Sequence, residues 1–176
     1  MAAYVIVGVA LGWVGWSTLR PERPSPAAGT FRTYRVYFVR DAGTYLTLEP
    51  VRRSAPLSAA DDEAVLGAAL LALRDGPTGA ERARGLSSAF PPDARVRALR
   101  VTGDEVAVDL SAAFAAGGGT ALMQGRLFQL LYTLSDPATV TRVRVAIEGE
   151  PVRSFSGEGI LLEQPWRRPA GGLPRW

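Results

Sequence analysis

From residue 30 onward the chain switches between two hydrophobic periods. Residues 30–40 (TFRTYRVYFVR) are aromatic and β-branched; Tyr34, Val36 and Phe38 share one face and Arg35, Tyr37 and Val39 the other, the period of two that marks a strand. A turn at 41–44 leads to a second strand at 45–53, so the pair reads as a hairpin, and Pro50 puts that strand at an edge or a bend because it cannot donate to a ladder. The period then lengthens. Val65, Leu66, Ala69, Leu70 and Leu73 form one apolar stripe of a helix expected to start at a Ser58 cap, with Asp61, Asp62 and Glu63 in the first turns, where the helix dipole favours negative charge. Asp75, Gly76 and Pro77 stop it: glycine supplies a left-handed residue and proline blocks continuation. A polar loop covers 78–93. Two short strands, 95–101 and 105–110, flank a turn at 102–104, and 111–119 ends in three glycines. A second helix over 120–134 aligns Met123, Leu127, Leu130, Leu131 and Leu134 and ends at Asp136-Pro137. Strand 141–147 points Val143, Val145 and Ile147 inward and Arg142 and Arg144 outward, and 152–162 adds a short strand. The order β-β-α-β-β-α-β, with two singly striped helices, predicts an α+β two-layer sandwich over residues 31–162. Its mostly antiparallel sheet would carry both helices on one face.

Residues 2–19 (AAYVIVGVALGWVGWSTL) carry no charge. As a helix they would span about 27 Å, against about 30 Å for a bilayer core, with Trp13 and Trp16 toward one interface. Residues 1–19 are therefore expected to be a transmembrane or signal anchor. No basic n-region and no convincing A-x-A site are present, which favours an uncleaved one. Residues 20–30 form a Pro-rich linker, and 163–176, rich in Pro, Gly, Arg and Trp, a flexible tail. Arg20 and Arg23 follow the span and no basic residue precedes it, which alone would orient the domain to the cytoplasm. A start upstream of Met1 would remove that conflict with the expected location, a single pass through the cytoplasmic membrane with the domain outside.

Composition narrows the chemistry. The 176 residues include no Cys and no His, and all 20 basic residues are Arg, so Lys is absent too. Disulfides, thiol nucleophiles, His-dependent triads, nearly every zinc site, Schiff bases and the P-loop lysine are excluded. No cofactor or metal is expected.

Several short motifs, in order, resemble the GerMN domain family. They are Val36-Tyr37-Phe38; Tyr45-Leu46 with Val51-Arg52-Arg53; Ala69-Leu70-Leu71 running to Asp75-Gly76-Pro77; and Gly85-Leu86-Ser87-Ser88-Ala89-Phe90-Pro91. They continue with Val106-Ala107-Val108-Asp109-Leu110-Ser111, Leu131-Tyr132-Thr133-Leu134, and Val143 to Gly149 with Glu150-Pro151-Val152. The resemblance covers nearly all of the region after the linker, in a single copy. It implies a fold similar to ring-building motifs of envelope assemblies and a non-enzymatic domain on the outer face of the cytoplasmic membrane, with an envelope protein or cell-wall polymer as partner and no small-molecule substrate.

Asp109 and Ser111 follow a strand end but have no His to act with, so Asp109 is expected to cap the following turn. Gly117, Gly118 and Gly119 lack the Lys and Ser/Thr of a phosphate loop and read as a plain loop. Asp104 with Glu105, and Glu148 with Glu150, are carboxylate pairs that could serve glycan hydrolysis, the enzymatic alternative. The preferred binding surface is an Arg-bearing sheet face containing Arg35, Tyr37, Arg95, Arg97, Arg142 and Arg144, together with Trp166 of the tail. Facing the cytoplasm, the same surface would be a nucleic-acid platform, the least favoured reading.

Overall fold

The computed structural model describes residues 31–56, 61–136, 139–155 and 160–176. The expected anchor and linker, the Ser58 cap and Pro137 lie outside those residues. No helix among the described residues is long and apolar enough to cross a membrane.

Strands β1 (Phe31–Asp41) and β2 (Leu46–Pro56) pair antiparallel along their whole length, Phe31 opposite Pro56 and Asp41 opposite Leu46. Pro50 sits opposite Tyr37 on β2, the outer strand of its sheet, where its missing N–H leaves no ladder bond unmade. Helix α1 (Asp62–Asp75) begins at Asp61, whose carboxylate accepts from the Ala64 N–H at 2.9 Å, and is closed by Gly76 at φ 77°. Its stripe is buried as predicted, with Leu70 and Leu73 at 0–1% exposure.

The polar loop is more structured than expected. Thr78 and Glu81 form a capping box on the short helix α2 (Gly79–Ala83), and β3 (Leu86–Ser87) pairs antiparallel with Val39 and Arg40 of β1. Strands β4 (Val96–Thr102) and β5 (Glu105–Leu110) form a hairpin, and a 3-10 turn (Ala112–Ala115) leads to α3 (Thr120–Leu134). Strand β6 (Arg142–Ile147) then pairs with β5 in parallel, joined by the α3 crossover, and turns tightly into β7 (Glu150–Pro151). Short strands β8 (Ser154–Phe155) and β9 (Ile160–Leu161) pair with each other.

The class is α+β, with every pairing antiparallel except β5–β6. The strands lie in separate sheets, ordered β2-β1-β3 and β4-β5-β6-β7, with the β8–β9 pair apart. Val36 and Phe38 of β1, the α1 stripe, Leu127, Leu130, Leu131 and Leu134 of α3, and the inward residues of β5 and β6 merge into one core. Helix α3 departs from the single-stripe expectation. Its other face is buried too, through Arg126, Gln129, Tyr132 and Thr133, because it lies along the edge of β1 rather than on a solvated surface.

The C-terminal segment also differs from the flexible tail expected. Trp166 exchanges both backbone hydrogen bonds with Val143 of β6, at 2.8 and 2.9 Å, and Trp176 does the same with Leu46 of β2, at 3.1 and 2.8 Å. The segment is a strap that joins the outer edges of the two sheets. Backbone pairing at both ends and aromatic burial between them fix it, features that Pro and Gly content alone does not reveal.

Candidate interaction surface

The six residues expected on one Arg-bearing sheet face, and Trp166 expected in the tail, are distributed over three places. Arg95, Arg97, Arg142 and Arg144 belong to the second sheet; Tyr37 and Trp166 lie under or within the strap; Arg35 is on the first sheet.

On the outer face of the second sheet charge is matched. Arg97, at a bulge in β4, donates to Asp109 at 3.0 Å and lies 2.6 Å from Glu148. Arg142 binds Asp104 at 2.5 Å, and Arg144 binds Glu105 at 3.0 Å. The register places Glu105 of β5 opposite Arg142 and diagonal to Arg144, within reach of both, at 3.7 and 3.0 Å. Arg95 is exposed just before β4 and holds Ser111 by its backbone: its N–H donates to the Ser111 hydroxyl at 3.0 Å and its carbonyl accepts from the Ser111 N–H at 2.9 Å. On the Arg-bearing face expected from the sequence, Arg97, Arg142 and Arg144 each have a carboxylate beside them, because sequence periodicity assigns a face but not its cross-strand partners.

Asp109 is corrected in the same way. It caps the β6–β7 turn, not the turn that follows it. One oxygen accepts from the Gly149 N–H at 2.9 Å and the other from Arg97; the Gly149 bond first, then the Arg97 partner, hold its carboxyl below the ordinary range. Glu148 at φ 53° and Gly149 at φ 86° form the two-residue turn, with both residues left-handed as a type I′ hairpin requires. Asp104 is likewise held low, by the Thr141 hydroxyl and then by Arg142. Leu110 is fully buried beside them.

Under the strap, Tyr37 and Tyr132 meet edge to face at 5.6 Å, and Trp166 packs on Tyr132 at 5.3 Å. Arg168, absent from the sequence-based set, stacks over both tyrosines at 5.2 and 4.8 Å. It donates to the Tyr37 hydroxyl, the Tyr132 carbonyl and Ser135, closing the C-terminal end of α3 with a cation. The Tyr132 hydroxyl donates to the Gly172 carbonyl at 3.0 Å, and burial pushes this phenol above its ordinary pKa. The signal for Arg168 was its place between Trp166 and Pro169 in a segment otherwise read as loose.

The edge of β1 that faces away from β2 carries the remaining features. Thr133 accepts from the Tyr37 N–H at 3.1 Å, and Gln129, fully buried, donates to the Tyr37 carbonyl at 3.0 Å while accepting from the Ala89 N–H at 2.6 Å. Side chains of α3 thus stand in for a neighbouring strand. Beyond Tyr37, toward Phe31, a cleft of about 120 Å³ opens against this edge. Thr33 and Arg35 line it, with Val65, Leu66 and Ala69 of α1 as apolar wall and Ser135 and Val140 opposite. Asp62 in this cleft is paired with Arg32 at 3.4 Å. Arg35 and Arg52 are directly opposed across β1 and β2, both exposed, and neither guanidinium group has a hydrogen-bond or ion-pair partner among the described residues.

The remaining motif residues are structural. Gly85, at φ 83°, turns the chain from α2 into β3 beside Arg40, and Leu86 is buried in the core. Asp75 forms an exposed pair with Arg74, and Gly76 and Pro77 carry the chain from α1 to α2.

A family model described as Germane, sporulation and spore germination, matches residues 35–153. No curated protein matches the chain. Among solved structures, the tandem GerMN domains of the sporulation protein GerM from Bacillus subtilis superpose with a TM-score of 0.61 at 22% identity. The match covers 79% of this chain and 46% of that one, so the chain spans about half the length of the two-domain protein. The first GerMN domain of the same protein gives a TM-score of 0.57 at 18% identity, over 78% of this chain and 98% of that one. At these identities the likeness shows the fold.

Proposed function

We propose, from the premise that the chain belongs to the Germane family of sporulation and spore-germination proteins, that it is a non-enzymatic domain of the bacterial cell envelope. It works by contact with another protein or with the cell wall, held at the cytoplasmic membrane by residues 2–19 with the domain outside. The observation that carries the non-catalytic reading is the engagement of three of the four carboxylates that could serve glycan cleavage. Asp104 is held by Thr141 and Arg142, Glu105 by Arg144, and Glu148 by Arg97 and by the Ala112 N–H at 2.8 Å. A general acid must hold a proton near neutral pH. Asp104 is held below the ordinary carboxylate range, by the Thr141 hydroxyl and then by Arg142, which favours its anion instead.

The test is protease added to intact spheroplasts, with the domain followed by antibody, alongside muropeptide release from purified cell wall by the full chain. Digestion without lysis and no release support the reading. Protection until lysis would refute the outward placement. Release that stops in Glu148→Gln or Glu150→Gln would make the protein a hydrolase.

A further inference from the structure

The open edge of β1 is the feature that the family assignment leaves unexplained. In the β1–β2 ladder, Tyr37 turns its N–H and carbonyl away from β2, since both bond to α3. Antiparallel pairing alternates, so Phe31, Thr33 and Arg35 turn theirs the same way. Strand β3 takes this edge at Val39–Arg40 and α3 takes it at Tyr37, while the Thr33 and Arg35 backbone groups have no partner among the described residues. Exposed edges are normally blunted by charge, proline or cover, because they template pairing with another strand. Here the edge opens onto a cleft with an apolar wall.

Charge identifies the occupant. Like charges directly opposite on neighbouring strands destabilise a sheet, and Arg35–Arg52 is such a pair, left uncompensated while the Arg residues of β6 and Arg97 each face a carboxylate. We infer that the Phe31–Arg35 edge of β1 binds an extended acidic segment of a partner protein by antiparallel strand addition, collinear with β3. This rests on the reading of the protein as a contact domain and names the surface and partner chemistry for it. Specificity follows from the pleat. Residues of the added strand opposite Thr33 and Arg35 share the face of Arg35 and Arg52, which selects Asp or Glu. Those opposite Tyr34 turn toward Val65, Leu66 and Ala69, which selects small apolar side chains. The recognised sequence alternates acidic and apolar residues.

The experiment titrates the full chain with a fluorescent, end-blocked heptapeptide alternating Val and Glu, read by anisotropy. Expected is saturable binding that weakens at least tenfold in three cases: N-methylation of alternate peptide nitrogens, Arg35→Glu with Arg52→Glu, and Thr33→Pro. The proline removes an outward N–H, as Pro50 does on β2, and an exposed hydroxyl contact with Ser54 at 3.4 Å, so far-ultraviolet circular dichroism should stay unchanged; the Arg double variant tests the site through exposed side chains alone. A Lys-for-Glu peptide should bind the double Glu variant better than wild type. Absence of binding, or equal binding of the N-methylated peptide, overturns strand addition. So does a concentration-dependent dimer of the chain that Thr33→Pro abolishes, since the edge would then belong to a second copy. None of these outcomes touches the envelope placement or the lack of hydrolase activity, which the protease and muropeptide assays decide separately.

Discussion

Replacing Gln129 by Leu removes the side chain that links α3, the open edge of β1 and the loop before β4. Leu is close in volume, so no large cavity arises, and the loss is polar. The Ala89 N–H, at 2.6 Å from the Gln129 carbonyl oxygen, and the Tyr37 carbonyl, at 3.0 Å from its amide nitrogen, lose their partner in a site with 0% exposure at position 129. An unsatisfied buried polar group costs about 1–3 kcal/mol, so two cost about 2–6 kcal/mol. That is a large share of a total stability of roughly 5–15 kcal/mol. Urea unfolding followed by tryptophan fluorescence should show a lower midpoint at an unchanged m-value. Leu122→Gln on the exposed side of the same helix should stay within about 0.5 kcal/mol of wild type. Gln129→Glu adds a directional check. A carboxylate oxygen cannot donate to the Tyr37 carbonyl, so the buried Glu is favoured in its protonated form and its folded pKa rises. Its contribution is then fully present below the ordinary Glu range and lost as pH rises through the raised value, a pH slope that Gln129→Leu lacks. A loss below 1 kcal/mol in Gln129→Leu would refute the claim that this side chain closes the strand edge.

Glu81 is buried, and two bonds from Arg53, at 2.6 and 2.7 Å, hold its carboxyl at about 2. A depressed acid stabilises the fold above its unfolded value near 4.5 and loses that contribution as pH falls toward 2. About 2–3 kcal/mol of acid sensitivity should therefore vanish in Glu81→Gln, measured as urea midpoint against pH. Arg126, 4% exposed, donates only to carbonyls, those of Ala89, Phe114 and Ala116, and burial lowers its pKa. Arg126→Met should cost about 2–4 kcal/mol in urea unfolding, since it orphans these acceptors. Arg168→Met should lose about 1–2 kcal/mol and speed proteolysis of the strap, because the end of α3 loses its cationic cap; unchanged cleavage would show that the aromatic contacts alone hold the segment.

Local order was legible in the chain because it depends on neighbours in sequence. The period-two alternation of β1, the α1 stripe, the Gly76 stop and the bounds of α3 all follow from spacing that side chains a few residues apart impose, and the ordered motifs carried the fold family as well. Asp61 took the cap of α1 as a residue of the same kind as the Ser58 expected there. The Thr78–Glu81 capping box is equally present in sequence, as a Thr and a Glu three residues apart inside the polar stretch 78–93. What only the tertiary structure decided is which distant groups meet. Arg97, Arg142 and Arg144 looked like a basic face until strand register set Asp109, Glu105 and Asp104 against them. Gln129 looked like an irregularity in an apolar helix until the edge of β1 arrived beside it with unpaired backbone groups. The strap looked loose because its order comes from pairing with Val143 and Leu46, residues 23 and 130 positions away. A hydrogen bond or ion pair between groups so far apart leaves no periodic trace along the chain, so the backbone pairing of the sheets determines it, and with it the open edge of β1.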